Sequence, residues 1–329
     1  MALLITGGSG FVGLALAEAS LAAGDEVVAF SHAPPPAPLR NRISDSRLHF
    51  VIGDIRSKAD LEKAFAVRPI DRVVHAAAVT AGPRREADAP QEVIDANIGG
   101  TASLMATLHA GRARPSRVII ISSVAVYGFS APAPNGLYRE DEPCPSPAAL
   151  YGITKLAAEQ TALRLGEVYG SDTRAVRLGP VYGPWEHRTG VRDAMSPQLQ
   201  AIEVAVAGGT ALLPGPCPAD WIYSRQAAAG ILALLGAPRL CHRAYNLGGG
   251  DITDLPGWCE AITPFFPGFS WRIAEPDERP NVLYRLARDR PALDVGRIRQ
   301  ETGFEPSLGV REAAADYAHW MNASGRLAQ

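Results

Sequence analysis

Short, almost uninterrupted apolar runs alternate with longer amphipathic segments through the first two-thirds of the chain. Such runs are typical of parallel strands that are buried on both faces and connected by helices. Right-handed crossovers between such strands give a doubly wound α/β sheet. The pattern predicts strands over Ala2 to Thr6, Glu26 to Phe30, Leu48 to Gly53, Arg72 to Ala77, Arg117 to Ser122, Thr173 to Leu178 and Ala244 to Leu247.

Two serines mark predicted helix starts. Ser57 is followed three residues later by an acidic residue, as in a capping box, and opens a helix that runs through Phe65. Ser146 precedes a proline, which is favoured in the first helical turn, and opens a helix that runs through Tyr169.

Proline and glycine become frequent after Gly179, which is typical of loop-rich structure. The sheet pattern then returns in a helix over Ala227 to Gly236 and in the last predicted strand. The sequence therefore predicts a larger parallel-sheet domain and a smaller, discontinuous α/β domain. The first comprises residues 1–178 plus about 226–249, and the second comprises about 179–225 plus 250–329.

The chain of 329 residues is 47% apolar and 20% charged, with a formal charge of −2. This balance, without a run of Lys or Arg, argues against a nucleic-acid or membrane partner. No segment reaches the length of a membrane span, and the N-terminus lacks the basic region of a signal peptide. Four widely spaced cysteines signal neither a disulfide framework nor a metal site. We therefore expect a cytoplasmic protein that acts on a small molecule.

A glycine-rich segment, Thr-Gly-Gly-Ser-Gly-Phe-Val-Gly over residues 6–13, follows the first predicted strand and opens a helix. Its glycines permit a tight turn, close approach of the backbone to a pyrophosphate, and close packing of helix on strand. The helix start adds unpaired N–H groups and a positive dipole. The segment predicts a Rossmann-type dinucleotide site formed by Gly7, Gly10, Phe11, Val12 and Gly13.

The end of the second strand usually carries the residue that contacts the adenosine ribose. An acidic residue there accepts hydrogen bonds from the 2′-hydroxyl of NAD, whereas this chain has Ser31. Without the carboxylate, a 2′-phosphate is not repelled, so the cofactor is NAD or NADP. Arg40 and Arg42 follow in the same loop, either as phosphate ligands or as solvated loop charges.

Tyr151 and Lys155 are four residues apart on a predicted helix and therefore share one face. A free phenol has a pKa of about 10, and an adjacent positive charge lowers that pKa toward the range of a general base. Ser123 follows at the end of the fifth strand, at the edge where ligands of such sheets bind. The three residues predict a catalytic group in which Tyr151 acts as acid and base.

Further segments occur in a characteristic order along the chain. With the motifs above, they resemble the extended short-chain dehydrogenase/reductase family, which includes nucleotide-sugar epimerases and dehydratases. The resemblance extends from Ala2 to Pro184 and resumes weakly at Asp220 to Tyr223 and Leu293 to Arg297. The segments are Gly53-Asp54-Ile55, His75-Ala-Ala-Ala78, Asn97 with Gly100-Thr101, Ser122-Ser-Val-Ala-Val-Tyr-Gly128 and Leu178-Gly-Pro-Val-Tyr-Gly-Pro184.

The resemblance implies roles for residues outside the catalytic group. Lys155 would also hold the nicotinamide ribose, and helices around Val93 to His109 and Leu150 to Tyr169 would pair across a homodimer. Further cofactor contacts would come from residues that follow the strands or precede the later helices: Asp54 and Ile55 beside the adenine, Ala76, Ala77 and Ala78 along the cofactor, Asn97 and Val181.

The chain departs from the family pattern at two positions where relatives that act on nucleotide sugars usually carry Asn and Arg. Pro180 and Ala219 stand there, so two anchors for a diphosphate are absent. Arg225 could instead meet a carboxylate on a small substrate or be a structural arginine. The acidic pair of the dehydratases, which would directly follow Ser123, is also missing, and this argues against elimination of water.

The leading hypothesis is an NAD(P)-dependent oxidoreductase or epimerase that acts on a carbohydrate-type secondary alcohol, with a small sugar, sugar acid or lactone favoured. The alternative is a nucleotide-sugar 4-epimerase of the UDP-sugar type. A third hypothesis is a non-catalytic regulator that senses dinucleotides on the same fold. The predicted substrate-binding residues are Thr80, Ser123, Tyr151, Trp185 and Arg225.

Overall fold

A seven-stranded sheet, parallel at every strand pair, dominates the computed structural model, which describes residues 1–111, 114–142, 144–284 and 289–323. Its strands are β1 Ala2–Thr6, β2 Glu26–Ser31, β3 Leu48–Ile52, β4 Arg72–His75, β5 Arg117–Ser123, β6 Thr173–Leu178 and β10 Ala244–Leu247. The strand order is β10-β6-β5-β4-β1-β2-β3. The predicted doubly wound α/β fold is thereby confirmed.

The predicted strands agree with the structure to within two residues at their ends. β4 is the largest departure, because it ends at His75 and not at Ala77. The Ala76 N–H still donates to the Thr6 carbonyl of the neighbouring β1 at 3.0 Å. The strand pattern continues in the sequence because the residues after His75 are small and apolar, although they lie outside the strand.

Helices connect the strands and cover both faces of the sheet. Those before β6 are α1 Phe11–Ala22, α2 Ala37–Arg42, α3 Lys58–Val67, α4 Pro83–Asp88, α5 Pro90–Ile94, α6 Gly100–Ala110 and α7 Leu150–Tyr169, with a π-helical turn over Asp95–Gly99 and a 3-10 turn over Val124–Val126. Those that follow are α8 Pro197–Val206, α9 Ser224–Gly236, α10 Leu255–Ile262, α11 Gly296–Thr302 and α12 Val310–Ala323, with a 3-10 turn over Thr263–Phe265.

The two predicted helix starts have different outcomes. Ser57 caps α3 as predicted, because its hydroxyl accepts from the Asp60 N–H at 3.3 Å. The start at Ser146 is wrong, since Ser146 forms an isolated bridge with Gly128 and α7 begins at Leu150. Gly128 has a φ of 52° and lies so close that a Cβ atom would sit 2.0 Å from the Ser146 carbonyl.

Alternate residues of the strands fill two separate cores on the two faces of the sheet. In β1, Leu3 and Ile5 belong to the core that also contains α1 and α9, whereas Leu4 belongs to the core beneath α3 and α6. All three side chains are fully buried. Burial on both faces explains why the strand sequences are continuously apolar.

The part of the chain after β6 adds two small parallel sheets, one of β7 Val181–Tyr182 with β9 Ile222–Tyr223 and one of β8 Thr210–Leu213 with β11 Ser270–Ile273. Its aromatic residues join the core on the α1 side of the main sheet. The division into two domains at the stated boundaries remains a prediction. Within the described ranges, no helix has the length and apolar character needed to cross a lipid bilayer.

Candidate active site

The glycine loop between β1 and α1 leaves no room for a side chain at Gly7 and Gly13. Gly7 has a φ of 70°, and a Cβ on it would lie 2.8 Å from the Ala77 nitrogen. A Cβ on Gly13 would lie 2.2 Å from the Gly7 carbonyl oxygen. Gly10 is the N-cap of α1 and gives no side-chain cap, so the first N–H groups of the helix are available to an anion. Phe11, Val12 and Gly13 form this first turn, and the loop fits the pyrophosphate of a dinucleotide.

Ser31 ends β2, and its buried hydroxyl accepts a hydrogen bond from the Ser9 N–H of the glycine loop at 2.8 Å. The serine therefore fixes the loop, and its contact with a ribose remains a prediction. The Arg42 guanidinium lies 4.5 Å from the centre of the Trp320 ring, which turns it toward α12.

Asn97 lies in the π-helical turn and is almost fully buried. Its amide oxygen accepts from the Val79 N–H at 2.7 Å, and its amide nitrogen donates to the Val79 carbonyl at 3.1 Å and to the Thr154 hydroxyl at 3.0 Å. These bonds occupy the amide and fix the segment after β4 against α7. The geometry makes Asn97 a support for that segment, and a direct cofactor contact remains a prediction.

The other residues that the resemblance assigned to the cofactor lie at the ends of strands. The Asp54 carboxylate accepts from the Arg56 backbone N–H at 2.9 Å, and its bonds to the Arg56 guanidinium lower its pKa. Ile55 packs against Gly100 at the start of α6. Ala76, Ala77 and Ala78 follow β4 in partly buried positions, and Val181 is buried in β7.

The Tyr151 hydroxyl, in the first turn of α7, lies near the hydroxyls of Ser123 and Thr80, and both lower its pKa. Ser123 is the last residue of β5, and its hydroxyl also accepts from the Ala125 N–H at 3.1 Å. Burial raises the pKa of Tyr151 above its ordinary value and outweighs the lowering by the hydroxyls of Ser123 and Thr80 and by the charge of Arg192. The predicted residues Thr80, Ser123 and Tyr151 therefore meet at one point. The expected lowering of the Tyr151 pKa by Lys155 is wrong for this structure, in which Lys155 is bonded to Ile121.

Lys155 lies one turn further along α7 and is buried. Its ammonium group donates to the Ile121 carbonyl of β5, and burial lowers its pKa to about 8. His75 lies nearby with its ring nitrogens 2.6 Å from the Thr6 hydroxyl and 2.9 Å from the Thr101 hydroxyl. Burial, together with the charge of Lys155, lowers the pKa of His75 to about 3, so it is a neutral, packed strand residue.

Arg192 is the site residue that sequence reasoning missed. Its backbone forms a parallel bridge with Thr80, and its guanidinium carbon lies 5.2 Å from the centre of the Phe11 ring. Its Nη2 lies 2.9 Å from a carboxylate oxygen of Glu186. Its Nη1 is buried and has no hydrogen-bond partner among the described residues. Arg192 thus brings a positive charge to Tyr151 from a loop whose sequence has no recognisable spacing.

The sequence matches the NAD dependent epimerase/dehydratase family over residues 3–248. The chain belongs to this family. It is therefore an enzyme of the extended short-chain dehydrogenase/reductase class, as the resemblance implied, and its cofactor is NAD or NADP.

The alignments with individual relatives cover almost the whole chain. UDP-glucuronate 4-epimerase 2 from Arabidopsis thaliana is 32% identical over 352 residues, which cover 97% of this chain and 75% of the relative. dTDP-glucose 4,6-dehydratase from Streptomyces niveus is 27% identical over 338 residues, covering 97% and 92%. UDP-glucuronic acid 4-epimerase from Bacillus cereus, solved with UDP-glucuronic acid and NAD, shares the fold with a TM-score of 0.77 at 22% identity over 98% of this chain and 99% of that one.

Two predicted substrate residues of this epimerase/dehydratase are not brought to Tyr151. The Arg225 guanidinium is paired with Glu18 of α1 at 3.1 Å and with Asp316 of α12, so it ties α9 to both helices. Trp185 is 2% exposed and packs against Trp320 with ring centres 5.6 Å apart. Both residues contact other elements of the fold. For Arg225 these contacts agree with the alternative that it is a structural arginine.

One cavity has Val124, the residue that directly follows Ser123, in its wall. Pro180 and Ala219 both face this cavity, so the two departures from the family pattern change the same wall. Its other described lining residues are Asp220, Trp221, Tyr284, Arg290, Pro291 and Leu293. The Asp220 carboxylate is already bonded to the backbone N–H groups of Leu293 at 2.8 Å and Gly250 at 3.0 Å.

Proposed function

We propose that this enzyme is a 4-epimerase that acts on a nucleotide-linked hexuronic acid of the UDP-glucuronate type. The observation that carries the proposal is Arg192, whose backbone bridges Thr80, whose charge lowers the pKa of Tyr151, and whose buried Nη1 has no partner in the described part of the chain. In a hexuronic acid the carboxylate is attached to C5, next to the reacting C4. A cation beside the catalytic base suits a substrate with this arrangement.

Each side chain of the site has a separate role in the proposed reaction. Tyr151 removes the proton from the 4-hydroxyl and returns it after the sugar has turned. Ser123 and Thr80 hold the reacting oxygen by hydrogen bonds, and Lys155, one turn further along α7, supplies a positive charge on the same helix. The glycine loop, with Gly7, Gly10 and Gly13, would hold NAD, which would supply reversible hydride transfer at C4.

The relatives support the nucleotide-sugar alternative over the small sugar, sugar acid or lactone that the sequence favoured. Several are UDP-glucuronate 4-epimerases, two of which align over 96–97% of the chain. The sequence reasoning gave most weight to Pro180 and Ala219. Those residues alter the cavity wall and leave the catalytic group and Arg192 unchanged.

A second candidate is oxidation of a free sugar acid by the same catalytic group. The apolar surface that Pro180 and Ala219 give to the cavity favours this candidate, because a diphosphate requires hydrogen-bond donors. Arg192 would bind the carboxylate of the free acid in the same way.

Incubation with UDP-glucuronate and NAD, followed by anion-exchange chromatography, tests the proposal. We expect conversion to the 4-epimer without net change in nicotinamide absorbance, whereas accumulation of NADH with free glucuronate would support the second candidate. Arg192→Met should lower kcat/KM for UDP-glucuronate about 10- to 100-fold, the loss of one charge-assisted hydrogen bond. Arg188→Met is the matched control, because Arg188 is an exposed arginine of the same loop that pairs with Glu203. Absence of any product from either substrate would contradict both candidates.

A further inference from the structure

Glu186 is a buried carboxylate that has no role in the proposed reaction as described above. Its side chain is 0% exposed. One oxygen forms an ion pair with Arg192 Nη2 at 2.9 Å and accepts from the Ser196 N–H at 2.7 Å, and the other accepts from the Ser196 hydroxyl at 2.6 Å. Burial raises its pKa, whereas Arg192 and Ser196 lower it. A carboxylate so far from water is retained only where its partners compensate its charge.

The turn that places Glu186 is strained. Trp185 has a φ of 73°, in the left-handed region that residues other than glycine rarely adopt. The Glu186 N–H then donates to the Gly183 carbonyl at 3.3 Å, which folds the chain back and directs the carboxylate inward. Strain of this kind persists where the surroundings enforce it, and it is concentrated at functional sites.

Arg192 is held on two sides by its surroundings. Glu186 takes the Nη2 side of the guanidinium, and the Phe11 ring of the glycine loop lies beneath its plane. The backbone bridge to Thr80 fixes the main chain. Nη1 is buried and has no hydrogen-bond partner among the described residues, and the charge of Arg192 acts on Tyr151. A long side chain with many rotamers is thereby limited to one direction.

Capping of α8 does not explain the carboxylate. The Ser196 hydroxyl already accepts from the Leu199 N–H at 3.1 Å and caps the helix itself. The bond to Arg192 is the part of the arrangement that reaches the catalytic group.

We infer that Glu186 is a positioning residue, which holds the Arg192 guanidinium so that its free edge meets the substrate carboxylate beside Tyr151. The inference rests on the proposed function. It adds a second residue to the recognition of the acid group, and one that never touches the substrate. Loss of Glu186 should therefore slow the reaction through misplacement of C4 more than it weakens binding.

Steady-state kinetics with UDP-glucuronate test this role. We expect Glu186→Gln to lower kcat at least tenfold while KM changes less than about threefold. Glu203→Gln is the matched control, because it removes an exposed carboxylate of α8 that pairs with Arg188, and it should keep the wild-type kcat. In an Arg192→Met background, Glu186→Gln should have no further effect on kcat, since the residue acts only through Arg192.

A thermal cycle tests the pair without any substrate. Arg192→Met leaves a buried carboxylate unpaired and should lower the melting temperature by several degrees, and the added Glu186→Gln should restore most of that loss. Additive changes in melting temperature, or a wild-type kcat in Glu186→Gln, would overturn the inference. Failure of the wild type to epimerise UDP-glucuronate would overturn the proposed function alone, because the thermal cycle does not use that substrate.

Discussion

At the scale of single residues, opposing influences set the pKa of the Tyr151 hydroxyl. Burial raises it, and the hydroxyls of Ser123 and Thr80 together with Arg192 lower it. Tyr151→Phe removes the oxygen and keeps the ring, so turnover should fall by roughly 10² to 10⁴ while the dissociation constant of the cofactor stays nearly unchanged. Stopped assays and cofactor titration measure the two quantities. A Phe variant that keeps most of its activity would exclude Tyr151 as the base.

The lowered pKa of Lys155 leads us to expect opposite pH trends for activity and for stability. Burial lowers its pKa from 10.5 to about 8, so the folded protein loses the ammonium proton as pH rises through about 8. Activity that depends on this charge should fall above that pH. Between about pH 8 and 10.5 the unfolded chain binds more protons at this residue, so its contribution to the free energy of unfolding should rise with pH.

Urea unfolding and kcat measured from pH 7 to 10 would show both trends for Lys155. Lys155→Met should remove the contribution to stability and serves as the control. A kcat that stays constant up to pH 10 would contradict the assignment.

The arrangement of Ser123, Tyr151 and Lys155 was predictable from sequence because secondary structure fixes it, whereas their catalytic roles remain predictions. Tyr151 and Lys155 are one helical turn apart, and Ser123 ends a buried strand, so local periodicity carries the signal. Arg192 carries no such signal, since a bridge to Thr80 and a distant carboxylate set its position. The ion pairs of Arg225 were not predictable for the same reason, because the chain order does not reveal that Glu18 and Asp316 lie beside it.

At the scale of elements, the end of α7 depends on one glycine. Gly170 has a φ of 66° and caps the helix in the left-handed conformation, with open space around its Cα. Gly170→Ala should therefore destabilise the protein by about 1 kcal/mol through backbone strain and leave kcat unchanged. Gly99→Ala is the control, because Gly99 is helical and equally uncrowded, and it should stabilise by about 0.4–1 kcal/mol.

Chemical denaturation of both alanine variants measures these changes in the free energy of unfolding. An equal loss in the two would mean that the sign of φ does not determine the cost. The strands were predicted well because burial on both faces leaves a continuous apolar run. The start of α7 was predicted wrongly, because the bridge from Ser146 to Gly128 is a tertiary contact that overrides a favourable capping sequence.

At the scale of the whole molecule, a buried polar network joins the main sheet to the C-terminal region. The Arg177 guanidinium of β6 is 4% exposed and pairs with Glu159 of α7 at 2.8 Å. It also donates to the Glu140 carbonyl at 3.0 Å, and the Glu140 carboxylate pairs with Arg297 of α11 at 3.3 Å. The network therefore spans elements that are far apart in the sequence.

Breaking one side of this network should be costly. Arg177→Met leaves the Glu159 carboxylate buried without its cation and should lower the free energy of unfolding by about 3–5 kcal/mol. The double variant Arg177→Met/Glu159→Leu should recover most of that loss. Urea denaturation of the wild type, of Arg177→Met, of Glu159→Leu and of the double variant gives the coupling free energy between the two residues. Independent effects of the two substitutions would contradict a paired role.

The place of β10 in the sheet has a consequence for synthesis on the ribosome. β10 pairs with β6, but residues 179–243 separate the two strands, and α9, which packs on α1, lies within that interval. At about 5–20 residues per second, the edge of β6 and the face of α1 stay open for several seconds after β6 has emerged. An open parallel edge attracts other strands. The nascent chain should therefore depend on chaperones most strongly during this interval, and nascent chains stalled before Ala244 should aggregate where those extended past Leu247 do not.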